Sequence, residues 1–163
     1  MTKTPTKPRA TEPGWTFQGQ PFASTDIGDA EGFVYRITDT TTGIAYIGKK
    51  SFWSNQIRTY KTGRKRRRVR KESDWQRYWS SSVELHALVD SKGPGVFTRE
   101  ILTVASTKRD VTYMEEFWLF TLRVLETDRF LNSNIAGRFF KISHDVLTER
   151  RESSCAHVSS VLH

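Results

Sequence analysis

The chain has 163 residues, 36% of them hydrophobic, one cysteine and a formal net charge of +8. That length suits one modest domain with tails. Cys155 alone excludes an internal disulfide and a cysteine-based metal cluster. No apolar run approaches the ~20 residues of a bilayer span, and the start MTKTPTKPRATEPG lacks the apolar core of a signal peptide, so a soluble, cytoplasmic protein is expected. The charge is concentrated. Residues 49–71 hold eleven Lys and Arg and no acid, leaving 15 of the 26 bases against 18 acids elsewhere.

In chain order, residues 1–31 are rich in Thr, Pro and Gly and read as a flexible arm, pinned only where Trp15, Phe17 and Phe22 dock. Phe33–Thr38 and Gly43–Gly48 are two short strands rich in β-branched and aromatic residues, joined by the polar turn Asp39-Thr40-Thr41-Thr42. A four-residue loop between Thr38 and Gly43 places Tyr35 opposite Tyr46, with both phenols on one face. Residues 51–60 carry Phe52 and Trp53 without a clean period. The run GRKRRRVRK, residues 63–71, is too self-repulsive to fold alone; it reads as a solvated loop or a helix completed by a polyanion.

Ser73-Asp74 offers a helix start before Trp75, and Ser82 a second one before Val83, Leu85, Leu88 and Val89, with a stop at Gly93-Pro94-Gly95. Val96–Leu102 alternates as a third strand. Asp110 is the expected cap of the longest helix, Val111–Leu125, whose Val111, Met114, Trp118, Leu122 and Leu125 share one side. Glu115 falls within that apolar stripe while Glu116 projects away. A carboxylate so aimed needs a partner or a cation. Residues 130–142, with Asn132, Asn134 and Gly137, read as a loop returning to the body, and 143–163 as a polar tail.

Tyr35 and the triplet Tyr46-Ile47-Gly48, on neighbouring strands, resemble the GIY-YIG nuclease family, although Phe33-Val34-Tyr35 keeps only the Tyr of the first motif. The stretch Lys49-Lys50, a polar insertion, then Asp74 to Ser82, resembles a phage-type branch that includes the Seg-like homing endonucleases. The resemblance spans residues 33–136 and implies an α+β fold, a three-stranded antiparallel sheet flanked by helices, with 32–142 as a nuclease domain carrying a basic insertion at 58–71. It also implies a phage-encoded endonuclease hydrolysing DNA phosphodiesters with Mg²⁺ or Mn²⁺.

By that comparison Glu115, in Met114-Glu115-Glu116-Phe117-Trp118, is the metal ligand, with Glu116 the second choice. Tyr46 takes a proton from the attacking water, Tyr35 helps to orient it, and Gly48 permits close approach of the backbone. Asn134, in Asn134-Ile135-Ala136, supports the site by hydrogen bonding. The family's usual Arg is missing: Gln56 stands there, and Arg58 with Tyr60 has the wrong spacing. Lys49 or Lys50 is the expected source of positive charge, with Arg77 as an alternative, and Tyr78 stands in for an auxiliary His or Tyr. Arg58, Arg64, Lys65, Arg66, Arg67, Arg68, Arg70 and Lys71 are the candidate DNA-binding residues. Neutralising ~6 phosphates would give a log–log salt slope near roughly −5. Two rival classes keep the same residues without catalysis: a nucleic-acid-binding protein, and an interaction module gripping an acidic protein.

Overall fold

The computed structural model describes residues 12–59 and 66–141. Its centre is β3, Gly32–Asp39, paired on one side with β4, Ala45–Ser51, and on the other with β7, Phe97–Ala105. Both faces of β3 are covered, which is why its sequence is apolar almost throughout. Phe33, Tyr35 and Ile37 enter one cluster, with Trp15, Phe52, Trp75 and Ile101. Val34 enters a second, with Ile47, Leu119, Val124 and Ile135.

The sheet is larger than the three antiparallel strands expected. It has five strands in the order β2-β1-β7-β3-β4, because β1, Trp15–Phe17, adds parallel to β7 and turns back as β2, Gln20–Pro21. The turn uses positive φ at both Gln18 and Gly19, the twist a two-residue hairpin favours. Trp15 is buried, donates its indole N–H to the Trp75 carbonyl at 2.9 Å, and lies edge-on to Phe33 and Tyr35. The aromatics of the expected arm therefore dock as part of the sheet.

Arg99 of β7 is the buried charge that fixes this corner. It lies between the rings of Trp15 and Trp79 and donates to the carbonyls of Pro13 at 2.8 Å and Gln76 at 3.0 Å. Burial lowers its pKa to about 10, against a smaller opposing effect of Glu12.

The β3–β4 register differs by two from the expected one: Tyr35 lies opposite Gly48, and Ile37 opposite Tyr46. A slip of two preserves side-chain parity, so both phenols still share a face. The cause is Asp39, which extends β3 past Thr38. Its carboxylate accepts from the Thr41 N–H at 2.8 Å and the Thr41 hydroxyl at 2.6 Å and pairs with Lys92, while Gly43, at φ +74°, returns its N–H to the Asp39 carbonyl. Burial alone would raise the pKa of Asp39; the hydrogen bonds from Lys92 and Thr41 outweigh it and hold the carboxyl well below its ordinary range.

From Arg66 onward the basic run is neither a loop nor a helix; residues 63–65 lie outside the described residues. It forms a two-stranded antiparallel ribbon of β5, Trp53–Thr59, and β6, Arg66–Glu72, in register from Trp53↔Glu72 to Thr59↔Arg66. The foot of the ribbon is held by fully buried Phe52 and Trp75, by the Trp53 indole on the Ala30 carbonyl at 2.8 Å, and by Ser73 bonded to the backbone of Ser51 and Phe52.

Ser73-Asp74 starts only a single 3₁₀ turn, Trp75–Arg77, because the Asp74 carboxylate turns to Lys50 instead of capping. Helix α1, Val83–Lys92, is capped by Ser82, whose hydroxyl accepts from the Leu85 N–H at 3.2 Å, and ends at Gly93 with φ +84°. Helix α2 runs Lys108–Thr121, beginning earlier and ending sooner than its apolar period suggested. Thr107 is the cap, accepting from the Asp110 N–H at 3.1 Å. Asp110 sits instead in the first turn, where its charge favours the helix dipole. Residues 130–141 include a small hairpin, β8 Asn134–Ile135 with β9 Phe139–Phe140. No helix among the described residues is long and apolar enough to cross a membrane.

Candidate active site

Strand β4 is an edge strand, and the site straddles that edge. Tyr46, Gly48 and Lys50 project to the Tyr35 side of the sheet; Ile47 and Lys49 project towards α2. A cleft of about 600 Å³ opens beside them, lined among others by Tyr46, Lys49, Ser81, Glu84, Glu115 and Asn132. Side chains from the two faces converge here, where β4 has no further strand beside it in the sheet.

Glu115 comes from the middle of α2. Its carboxylate meets Lys49 Nζ at 2.9 Å, and the same ammonium donates to the Thr112 hydroxyl at 3.1 Å. Lys50 points the other way, pairing with Asp74 at 2.7 Å with its ammonium 3.7 Å from the centre of the Tyr78 ring. Of the two lysines considered for the positive charge, Lys49 is the one in the cleft. Arg77 lies away from it, beside Lys71, Glu72 and Asp74.

The phenols form a graded series from core to solvent. Tyr35 is buried and shares a hydrogen bond with Tyr78. Desolvation, then the charges of Tyr78 and Tyr46, push its pKa well above the ordinary value of 10.0, so it stays neutral. Tyr46 is half-buried at the cleft wall, its ring 6.4 Å from that of Tyr35. Burial first, then Glu115 and Tyr78, raise its pKa from 10.0, and a hydrogen bond with the Ser81 side chain partly opposes them. Tyr78 packs edge-on against Tyr35 at 6.1 Å, held in place through its own carbonyl by Arg99.

Gly48 serves this stack directly. A Cβ there would lie 2.5 Å from the Tyr35 hydroxyl and 3.0 Å from Cε1 of Tyr46. The space a side chain would fill is taken by the Tyr35 phenol, an internal close approach and not one reserved for an incoming backbone.

Asn134 lies at the exposed rim, and its carbonyl accepts from the Gly137 N–H at 3.0 Å, closing its own turn. The buried amide is that of Asn132, which no motif had marked. Its carbonyl accepts from the Ile47 N–H at 3.0 Å and its NH₂ donates to the Ile47 carbonyl at 2.8 Å. One side chain thus satisfies both edge groups of the residue between Tyr46 and Gly48, as a neighbouring strand would. Ala45 is satisfied similarly by the backbone of Arg129 and Leu131. A sequence signal existed, a polar residue two positions before the Asn-Ile-Ala segment, but its role depends on knowing that β4 is an edge.

The carboxylates lining the cleft are Glu115 and Glu84. Among the described residues no group of three or more His, Cys, Asp and Glu could hold an ion. This donor set is wrong for a structural zinc site, which needs four N or S ligands. It fits Mg²⁺ or Mn²⁺, hard cations that keep several waters and bind through one or two carboxylates plus substrate phosphate.

Of the expected DNA-binding residues, Arg70 is bonded to Glu31 at 2.8 Å with its guanidinium 4.4 Å from the Trp53 ring, and Lys71 is exposed. Arg58, Arg66, Arg67 and Arg68 occupy paired positions on the ribbon strands. Arg64, Lys65 and the 143–163 tail lie outside the described residues.

A family model described as "Putative endonuclease segE, GIY-YIG domain" matches residues 15–135, from β1 to the end of β8. No curated protein and no solved structure matches the chain.

Proposed function

The chain belongs to the SegE-type GIY-YIG endonuclease domain family, and from that premise we propose that it is a metal-dependent endonuclease hydrolysing DNA phosphodiester bonds at the β4 edge. The observation that carries this reading is the convergence of Tyr46, Lys49 and Glu115 on one open cleft. Glu115 would hold Mg²⁺ or Mn²⁺. A divalent ion there supplies charge on a phosphoryl oxygen and lowers the pKa of bound water.

The remaining steps belong to the chain. The Lys49 ammonium already occupies the cation position at Glu115. Displaced from it, the flexible side chain swings to the phosphate and balances the negative charge that builds in the transition state. Tyr46 stands at the cleft wall and, as the phenolate, its own proton having passed to solvent, accepts the proton of the attacking water. Its raised pKa keeps it a neutral phenol in the free protein; added positive charge at Glu115 removes the main charge opposing its ionisation. Tyr35, buried and neutral, fixes the Tyr46 ring from behind.

The Lys49–Glu115 ion pair also favours a second reading, a nucleic-acid-binding protein whose carboxylate is permanently satisfied. Cleavage of supercoiled plasmid by the full chain separates the two. Nicked or linear product with Mg²⁺ or Mn²⁺, none with EDTA and none from Glu115→Ala, is the expected result. Salt-sensitive binding without cleavage under any divalent ion would establish the second reading instead.

A further inference from the structure

We propose that the groove between the end of α2 and the β8–β9 hairpin is a second nucleic-acid site, which takes an unstacked base of a single strand against Phe139 and Phe140. The proposal rests on DNA being the ligand of the neighbouring cleft, and deepens that reading.

The first observation is a concentration of exposed rings. Phe117, Phe120, Phe139 and Phe140 are 44%, 51%, 52% and 60% exposed, and Phe120 meets Phe139 edge-on at 5.4 Å. Phe120, Phe139 and Phe140, with the buried Leu119, Val124 and Ile135, line a groove of about 470 Å³. That volume lies within the ~300–1,000 Å³ of pockets that take small ligands. Apolar side chains exposed singly need no explanation; a contiguous patch of them marks a binding surface.

Charge selects the ligand. Arg123, Arg138 and Lys141 stand along the groove against one acid, Glu126. Glu126 is paired with Arg123, Arg138 is exposed, and Lys141 donates to the Phe130 carbonyl at 2.9 Å while keeping its charge. A second copy docked about a two-fold axis would bring this surface against itself, like charge on like. A single strand answers both features, because each base offers an apolar face to a phenyl ring and each linkage a phosphate to a cation. In a closed duplex those base faces are already stacked.

The groove also adjoins the cleft. Leu119 lines both. Phe140 lines the groove and is the cross-strand partner of Asn134, which lines the cleft. The hairpin is therefore the wall between the two, and a strand passing over it goes from one to the other. Its turn is closed by the Asn134 carbonyl on the Gly137 N–H at 3.0 Å, so a fixed element presents the rings.

The test uses the full chain in EDTA, so that no cleavage contributes, with an oligothymidylate carrying one iodouracil. Long-wave irradiation is followed by mass-spectrometric mapping of the crosslinked peptide, and the same label within a fully paired duplex is the control. The expected result is a crosslink at Phe139 or Phe140 from the single strand and none there from the duplex. By fluorescence anisotropy Phe140→Ala should weaken single-strand binding roughly 5- to 150-fold, the scale of one lost base–aromatic stack, and Phe140→Trp should retain it. Arg138→Ala should lower the log–log salt slope by about 0.7. Crosslinks that avoid both rings, or single-strand affinity unchanged in both Phe139→Ala and Phe140→Ala, would overturn the proposal. A dimer in analytical ultracentrifugation that Phe140→Ala dissociates would also overturn it, making a second copy the occupant. Plasmid cleavage in Mg²⁺ is scored separately: cutting without a crosslink in the groove removes the second site alone, and a crosslink there without cutting removes the nuclease reading alone.

Discussion

The cleft and the ribbon handle charge in opposite ways. In the cleft the charge nearest the phenols is paired, Lys49 with Glu115, and behind the sheet Lys50 meets Asp74. Along the ribbon bases outnumber acids without exception from Ser54 to Lys71. A balanced cluster can be held rigidly by the fold at little cost. An unbalanced one gains only when an external polyanion arrives, and its attraction falls with salt. One region is thereby suited to chemistry, the other to capture.

The sharpest way to separate them is to remove one function at a time. Glu115→Ala should lower kcat by at least about 10²- to 10³-fold, the scale on which one preorganised electrostatic group acts, while leaving the salt slope of DNA binding in place. Tyr46→Phe should do the same. Alanine at Arg66 and Arg68 should do the reverse, raising KM far more than it lowers kcat and reducing the salt slope by about 2. Single-turnover cleavage and filter binding across a salt series measure both. Loss of binding and cutting together in Glu115→Ala would erase the division.

The next effect is structural and confined to the cleft. Asn132→Ala orphans the N–H and C=O of Ile47. At about 1–3 kcal/mol for each buried unpaired group, relieved in part by water from the open cleft, a loss of about 2 kcal/mol is expected. A lowered urea midpoint with unchanged slope reports it. Gly48→Ala acts on the same strand from the other face, pressing a methyl group into the Tyr35 phenol. Overpacking of this kind costs about 1–3 kcal/mol, and the backbone around Tyr46 shifts with it. A variant as stable as the parent would mean the stack is looser than its geometry indicates.

These sites also mark how far the sequence could be read. The Tyr-Ile-Gly strand, the α2 stripe and the misfit of Glu115 within it were legible, because strand parity and helical period survive small errors of register and boundary. The slip by two at Asp39 therefore cost nothing at the phenols. Strand β1 was hidden because its partner Arg99 lies 84 residues away from Trp15, and three residues carry no period of their own. The ribbon was hidden for a physical reason: its composition argues against folding alone, and what stabilises it is the buried foot at Phe52 and Trp75. Asn132 became readable only once β4 was known to be an edge.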